Sequence, residues 1–284
     1  MWSTIFSNGT VCISTHSGHL LSAEKTTQIY LRALGLTDAW TSLIWAIPAT
    51  CGFLVQPVVG ARSDLSHHRW GRRKPYMATG ALGTMSSIIV LAWAGALGRW
   101  SVAFFAVHSL EAAATTTKIY AVLSICTLSL SIQPLQCGLR AIVLDQCPAR
   151  QQVQAQSWVA RLCGIGQIAG CVAGIVYLPD EHSLGDITTF RILAVASAIA
   201  VGVTVAITCA SVREEINQQD LGEKATPRSL PTVLRNLVRT FTETRGILRR
   251  VFLIQSLSWM GWFSFLFYNT RYAYAHGFAF SHAR

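Results

Sequence analysis

Between Leu128 and Asp145 the chain reads LSLSIQPLQCGLRAIVLD, an apolar stretch interrupted by polar side chains at regular intervals. Wound as a helix, Ser129, Gln133, Gln136 and Arg140 follow one another at spacings of four, three and four and so share one face. Leu128, Leu130, Ile132, Leu135 and Leu139 cover much of the rest. A guanidinium at bilayer depth costs about 2.5–3.5 kcal/mol unless it meets a cavity or a partner. A helix with one polar stripe and an apolar back therefore has the make-up of a wall beside a water-filled path. The alternative is an arginine near a helix end that snorkels to the headgroups, since Asp145 follows within about a turn and a half. Two glutamines on the same face favour the path, because a snorkelling arginine does not need them.

A second group of residues lies in GARSDLSHHRWGRRKP, from Gly60 to Pro75. Asp64 just past one apolar run and Gly71-Arg72-Arg73-Lys74 just before the next suit a short hinge in which Asp64 pairs with an arginine or caps a helix end. Such pairs can hold one conformation of a bundle and break in another. A loop that is merely basic would account for the arginines but not for Gly60, Asp64 and Gly71 in this order. His67 and His68 are adjacent in sequence, do not face one site, and read as surface residues.

The elements that must position these groups are apolar. The hydrophobic share is 51% and the charged share 13%, where a soluble domain carries about 25% charged residues. A net charge of +10 in a soluble protein would suggest nucleic acid. Here the basic residues cluster between long apolar runs, which indicates a membrane protein and no nucleic-acid partner. The runs lie between Asp38 and Arg62, Lys74 and Arg99, Lys118 and Arg140, Arg161 and Asp180, Arg191 and Arg213, and Arg250 and Arg271. Each approaches the about 20 residues of a spanning helix, and the fourth extends back to Trp158 with Arg161 snorkelling. The fold class is all-α, a polytopic membrane helix bundle. The fourth run carries Gly166, Gly170 and Gly174, a smooth face for close packing by another helix. The scattered cysteines read as small packing residues, with no metal-ligand spacing and no disulfide framework. No HExxH, GxSxG or intramembrane carboxylate pair points to an enzyme, and no cofactor is implied.

Gly60-x-x-x-Asp64 followed by Gly71-Arg72-Arg73-Lys74-Pro75 resembles the loop between helices two and three of major facilitator transporters, in the form found in sucrose–proton symporters of the glycoside–pentoside–hexuronide class. Leu34 to Gly60 is similar to the second helix of that family, Leu135 to Asp145 to its fourth, and Gly261 to Thr270 to its seventh. The details resemble fungal members that carry sucrose or maltose-like α-glucosides. The resemblance implies a partial major facilitator fold, with sugar, protons and the lipid bilayer as partners and the plasma membrane, more than the vacuolar one, as location. It implies that Arg140 acts with a carboxylate in proton coupling and that Asp145 pairs with basic groups at the cytoplasmic end. Sugars need bidentate hydrogen-bonding side chains and aromatic faces, which makes Gln133, Gln136 and Trp45 candidates, although Trp45 reads better as a packing residue. Ser129 stands where many relatives have an aspartate, and Glu24 is a candidate for the missing carboxylate, although Lys25 beside it suits an exposed location equally.

The expected organisation is an unassigned segment 1–22, a bundle 23–210 (a remnant of helix one, then helices two to six), a basic linker 211–250, helix seven at 251–270 and an atypical tail 271–284. The linker from Pro231 reads either as an amphipathic helix on the inner leaflet or as a solvated connection. With one half of the family's twelve helices and part of a seventh, the chain is expected to be a truncated carrier that does not transport by itself. The competing expectation is a non-transporting membrane protein, a sensor-like or regulatory half-bundle or an incomplete gene product.

Basic residues in short loops set the orientation. Arg62, Arg69, Arg72, Arg73 and Lys74 put the first loop in the cytoplasm with the 213–250 stretch, whereas Asp180, Glu181 and Asp186 put theirs outside. Single cysteines at Ser66 and Ser183 in a cysteine-free background test this. An impermeant thiol reagent added to intact cells should label Ser183→Cys and spare Ser66→Cys; the reverse pattern would invert the topology.

Overall fold

A computed structural model of the protein describes residues 38–64, 66, 68–104, 109–177, 187–212, 214, 232, 235, 239, 243, 246, 247 and 249–261. Glu24, Lys25 and the segments 1–22 and 271–284 lie outside the described residues, and of Trp45 only the helical backbone is described. The chain divides into two compact units, Met1–Arg228 and Ser229–Arg284.

The first unit contains α1 (Asp38–Asp64), α2 (Lys74–Ala92), α3 (Ala94–Phe104), α4 (Leu110–Gln146), α5 (Ala149–Tyr177) and α6 (Ile187–Ser211). Their boundaries follow local chemistry. Ser109 caps α4, its hydroxyl accepting from the amide of Ala112 at 3.2 Å, and Glu111 adds an acidic group to the first turn. Pro75 opens α2, where a missing N–H costs nothing. The fourth apolar run starts well before Trp158: α5 begins at Ala149, directly after Pro148, and its Gln-rich first turns precede the apolar part. The second run is interrupted at Trp93, which separates α2 from α3. Arg191 of α6 covers the break, its Nε donating to the Ala92 carbonyl at 3.5 Å and its guanidinium lying 5.5 Å from the Trp93 ring centre.

Lys74–Ala92, Glu111–Gln146 and Phe190–Ser211 are, by length and composition, apolar enough to cross a membrane. Their outward faces carry Leu82, Ile89, Ile119, Leu123, Leu130, Ile192, Ile199, Val203 and Ile207 in exposed positions where a water-soluble bundle would be charged. Buried hydroxyls return to their own helix: Ser124, Ser129, Thr204 and Thr208 donate to the carbonyls four residues back at 2.7–2.9 Å. Among apolar neighbours this satisfies the hydroxyl without a second helix.

Helix α4 is central, packing on α1, α2, α3 and, near Val143 and Cys147, on Ala155 and Trp158 of α5, while α6 packs on α2. The inner core joins Met77 and Ala81 of α2, Leu135, Leu139 and Ile142 of α4, and Val201 and Val205 of α6. Glycines bring the backbones together. A Cβ on Gly80 would lie 2.8 Å from the Leu135 nitrogen and 2.9 Å from the Ser131 carbonyl oxygen, and one on Gly138 would overlap Met77 Cγ. Gly166 is buried on α5, and Gly170 and Gly174 lie on the same helix. Cys163, read from the sequence as a packing residue, is disulfide-bonded; a disulfide depends on proximity in space, which scattered cysteines do not reveal.

In the second unit every described residue from 232 to 261 is helical. Arg239 Nε donates to Glu243 Oε1 at 2.7 Å one turn on, and residues 251–261 are exposed.

The glycine contacts generate a paired expectation. Gly80→Ala must push α2 from the α4 backbone and should cost about 1–3 kcal/mol. Gly164→Ala meets nothing within 4 Å and should be neutral or stabilising by up to about 1 kcal/mol. Thermal unfolding of the two variants in detergent checks this; equal midpoints would refute close packing at Gly80.

Candidate functional site

The residues that pack α4 against α2 set where its polar stripe points. Ser131, Leu135 and Gly138 meet Gly83, Gly80 and Met77 of α2. On a helix of 3.6 residues per turn, Ser129, Gln133, Gln136 and Arg140 fall on the opposite side. Gln133 accordingly meets α1. Gln56 Nε2 donates to Gln133 Oε1 at 2.8 Å, and Gln133 Nε2 donates to the carbonyls of Ser129 at 3.1 Å and Pro48 at 3.4 Å. Gly52 lies alongside this amide, and a Cβ there would stand 3.6 Å from Gln133 Oε1.

Four positions on one stripe therefore have different fates. Ser129 and Gln133 are each 4% exposed. The Ser129 hydroxyl donates to Ile125 and cannot replace a titrating carboxylate. Gln133 has both ends of its amide engaged within the bundle, so a ligand would have to displace Gln56. Gln136 is half-buried, and Arg140 is exposed with no ion pair among the described residues. Gln56 was not evident in the sequence, where a lone Gln beside Pro57 has no helical partner.

At the end of the bundle that carries the basic loop, Arg73 is the hub. It is only 7% exposed. Its Nη2 lies 2.5 Å from Asp64 Oδ1 of α1, its Nε 3.2 Å from Asp145 Oδ2 of α4, and its Nη1 donates to Ser63 Oγ at 2.6 Å. Arg72 Nη2 shares Asp145 Oδ2 at 3.2 Å. The expected pairing of Asp64 and Asp145 with this arginine cluster is thus present in the geometry. Gly60 stands where its carbonyl accepts from Ser63 Oγ at 3.0 Å, turning that hydroxyl towards Arg73.

The start of α2 lacks a side-chain cap and an acidic first turn of its own. Glu214, just beyond α6, takes both roles. Its carboxylate accepts from the backbone amides of Arg72, Arg73 (2.9 Å) and Lys74 (3.2 Å), a negative charge placed on the positive end of a helix. Gly71 permits the approach. Its φ of +116° suits glycine, and a Cβ there would stand 2.6 Å from Glu214 Oε2. No cluster of metal-binding side chains occurs among the described residues.

The family model for MFS/sugar transport proteins matches residues 26–283. A general alpha-glucoside permease of Schizosaccharomyces pombe is 29% identical over 86% of this chain and 43% of its own length. A proton-associated sugar transporter A of Rattus norvegicus is 28% identical over 82% of this chain and 30% of its own, and a sucrose transport protein of Arabidopsis thaliana is 24% identical over 85% and 49%. The chain spans less than half the length of each of these relatives.

Glu214→Gln keeps the size of the side chain and removes its charge from the start of α2. The variant should lose about 1 kcal/mol of stability, and the loss should shrink as salt is raised. Thermal melts of wild type and Glu214→Gln at low and high ionic strength read this out; a melting temperature unchanged at low salt would refute the capping role.

Proposed function

Because the chain belongs to the MFS/sugar transport protein family, we propose that it forms one half of a proton-coupled carrier for α-glucosidic disaccharides such as sucrose or maltose, in the plasma membrane. The observation that carries this reading is the α4 stripe. A neutral amide, Gln136, and a cation, Arg140, stand at its less buried end, next to an interlocked pair of amides from two helices. A disaccharide presents paired hydroxyls, which amides bind through a donor and an acceptor at once. The names of the relatives, an alpha-glucoside permease, a sucrose transport protein and a proton-associated sugar transporter, support the substrate class.

In this reading Gln136 holds sugar hydroxyls, and Gln133 does so after releasing Gln56. Arg140 balances a carboxylate that loses and regains a proton. Ser129 cannot titrate, so the carboxylate comes from another position, and Glu24 is our candidate. The Arg73 hub, with Asp64 and Asp145, is the cytoplasmic latch that opens as one half rocks against the other in alternating access. Gly166, Gly170 and Gly174 supply a close-packing face on α5.

The test is uptake into sealed vesicles. A polypeptide joining these residues to the second half of the S. pombe permease should accumulate labelled sucrose or maltose saturably, and a protonophore should abolish accumulation. Arg140→Leu in that polypeptide should lower coupled uptake on the order of a hundred-fold without impairing insertion, since leucine enters a bilayer more easily than arginine. The 284 residues alone should give no saturable uptake, because a path of this kind lies between two halves. Normal proton-coupled uptake by Arg140→Leu would refute its role. Saturable uptake by the chain alone would mean that copies of it complete the path.

A further inference from the structure

A cavity of about 360 Å³ opens at the cytoplasmic end of α2 and α6, on the side of α2 away from the α4 stripe, and is lined by Arg69, Trp70, Lys74, Ala78 and Cys209. Its mouth is cationic and its floor is small and apolar. Neither Arg69 nor Lys74 forms a side-chain ion pair among the described residues. The nearby carboxylate, Glu214, is spent on the amides of Arg72, Arg73 and Lys74, and Arg72 is held by Asp145. The network beside the mouth thus takes neither cation into an ion pair, although the Glu214 charge lies near Cys209.

The rest of the environment is that of a lipid. Trp70 is 68% exposed, with its ring edge-on to His68 at 5.9 Å; an exposed indole at the end of a spanning helix marks the headgroup level. Below the floor, Leu82 and Ile89 follow Ala78 along α2, and Ile199 and Val195 lie towards the Cys209 side of α6, all exposed. Met85 closes the seam between the two helices by lying against Gly202. A cationic mouth above a long apolar seam matches a molecule with an anionic head and two hydrocarbon tails. A soluble anion would use only the mouth.

We propose that this cavity receives the phosphate headgroup of an anionic phospholipid of the cytoplasmic leaflet, held by Arg69 and Lys74, with the acyl chains along the α2–α6 seam. Basic pockets between spanning helices on this side of a membrane suit such headgroups. The lipid would sit beside the Arg73 hub without taking part in it.

The probe is palmitoyl-oleoyl phosphatidylserine, titrated against the full chain in detergent and read by native mass spectrometry, with the phosphatidylcholine of the same tails as reference. Phosphatidylserine should bind preferentially. Arg69→Gln with Lys74→Gln should weaken it by roughly ten-fold to thirty-fold. Arg62→Gln, a charge change at the same end of the bundle but outside the cavity, should leave it unchanged, and Arg69→Lys with Lys74→Arg should retain it. Unchanged affinity in the double Gln variant, or an equal loss in Arg62→Gln, would reduce the effect to diffuse surface charge and overturn the site. Glycerophosphoserine, which lacks the tails, should not displace the lipid at equal concentration; displacement would assign the mouth to a free anion and overturn the lipid. A second measurement leaves Arg69 and Lys74 intact. With the other free cysteines changed to serine, phosphatidylserine should slow maleimide labelling of Cys209 and phosphatidylcholine should not. Equal labelling rates in the two lipids would overturn the proposal even if the double Gln variant failed to fold.

Discussion

In a bilayer, helices gain little by hiding apolar surface from one another, because the lipid is as apolar as they are. What remains is close contact, and one such contact is between α2 and α4, with Leu135 over Gly80 and Met77 over Gly138. Each helix offers the other a side chain and a place without one, so the two are fixed in rotation as well as in distance. The rotation of α4 decides the direction of its stripe. Had Gly80 or Gly138 carried a larger side chain, α4 would have to turn or retreat, and Gln133 would no longer meet Gln56.

The loop end is held by different physics. Arg73 draws together carboxylates from α1 and α4 and a hydroxyl from the loop margin, and the half-exposed setting of Asp145 keeps the desolvation cost below that of a fully buried pair. Glu214 adds α6 to the same knot through backbone amides. Four helices thus converge on one short segment of chain, Gly71 to Lys74, whose path depends on a glycine in the left-handed region.

The sequence made some of this readable and concealed the rest for identifiable reasons. The α4 stripe follows from helical periodicity and the pairing of Asp64 with an arginine from the make-up of the loop, whereas the pairing of Asp145 was implied only by the family resemblance. The role of Glu214 did not follow, because it lies in a run of polar residues after α6 and meets Arg73 only once α2 and α6 are side by side. Gly166, Gly170 and Gly174 formed the more visible glycine pattern, while the described helix contacts that leave no room for a side chain are at Gly80, Gly83, Gly98 and Gly138. A glycine's importance depends on what stands opposite, and that is a property of the fold. The interruption at Trp93 was also hidden, since the run between Lys74 and Arg99 carries no charge and hydropathy does not register a break in hydrogen bonding.

Helix α6 is fastened to α2 at both ends. At one end Arg191 reaches the Ala92 carbonyl and the Trp93 ring, and just past the other Glu214 grips the start of α2. A rod pinned at two points can neither spin about its axis nor slide along its neighbour. The two helices therefore behave as a single plank. Helix α5 is joined differently: Ala155 near its start packs on Val143 and Cys147, and further along it carries the disulfide-bonded Cys163. Whatever is bound along the plank travels with both helices as ballast.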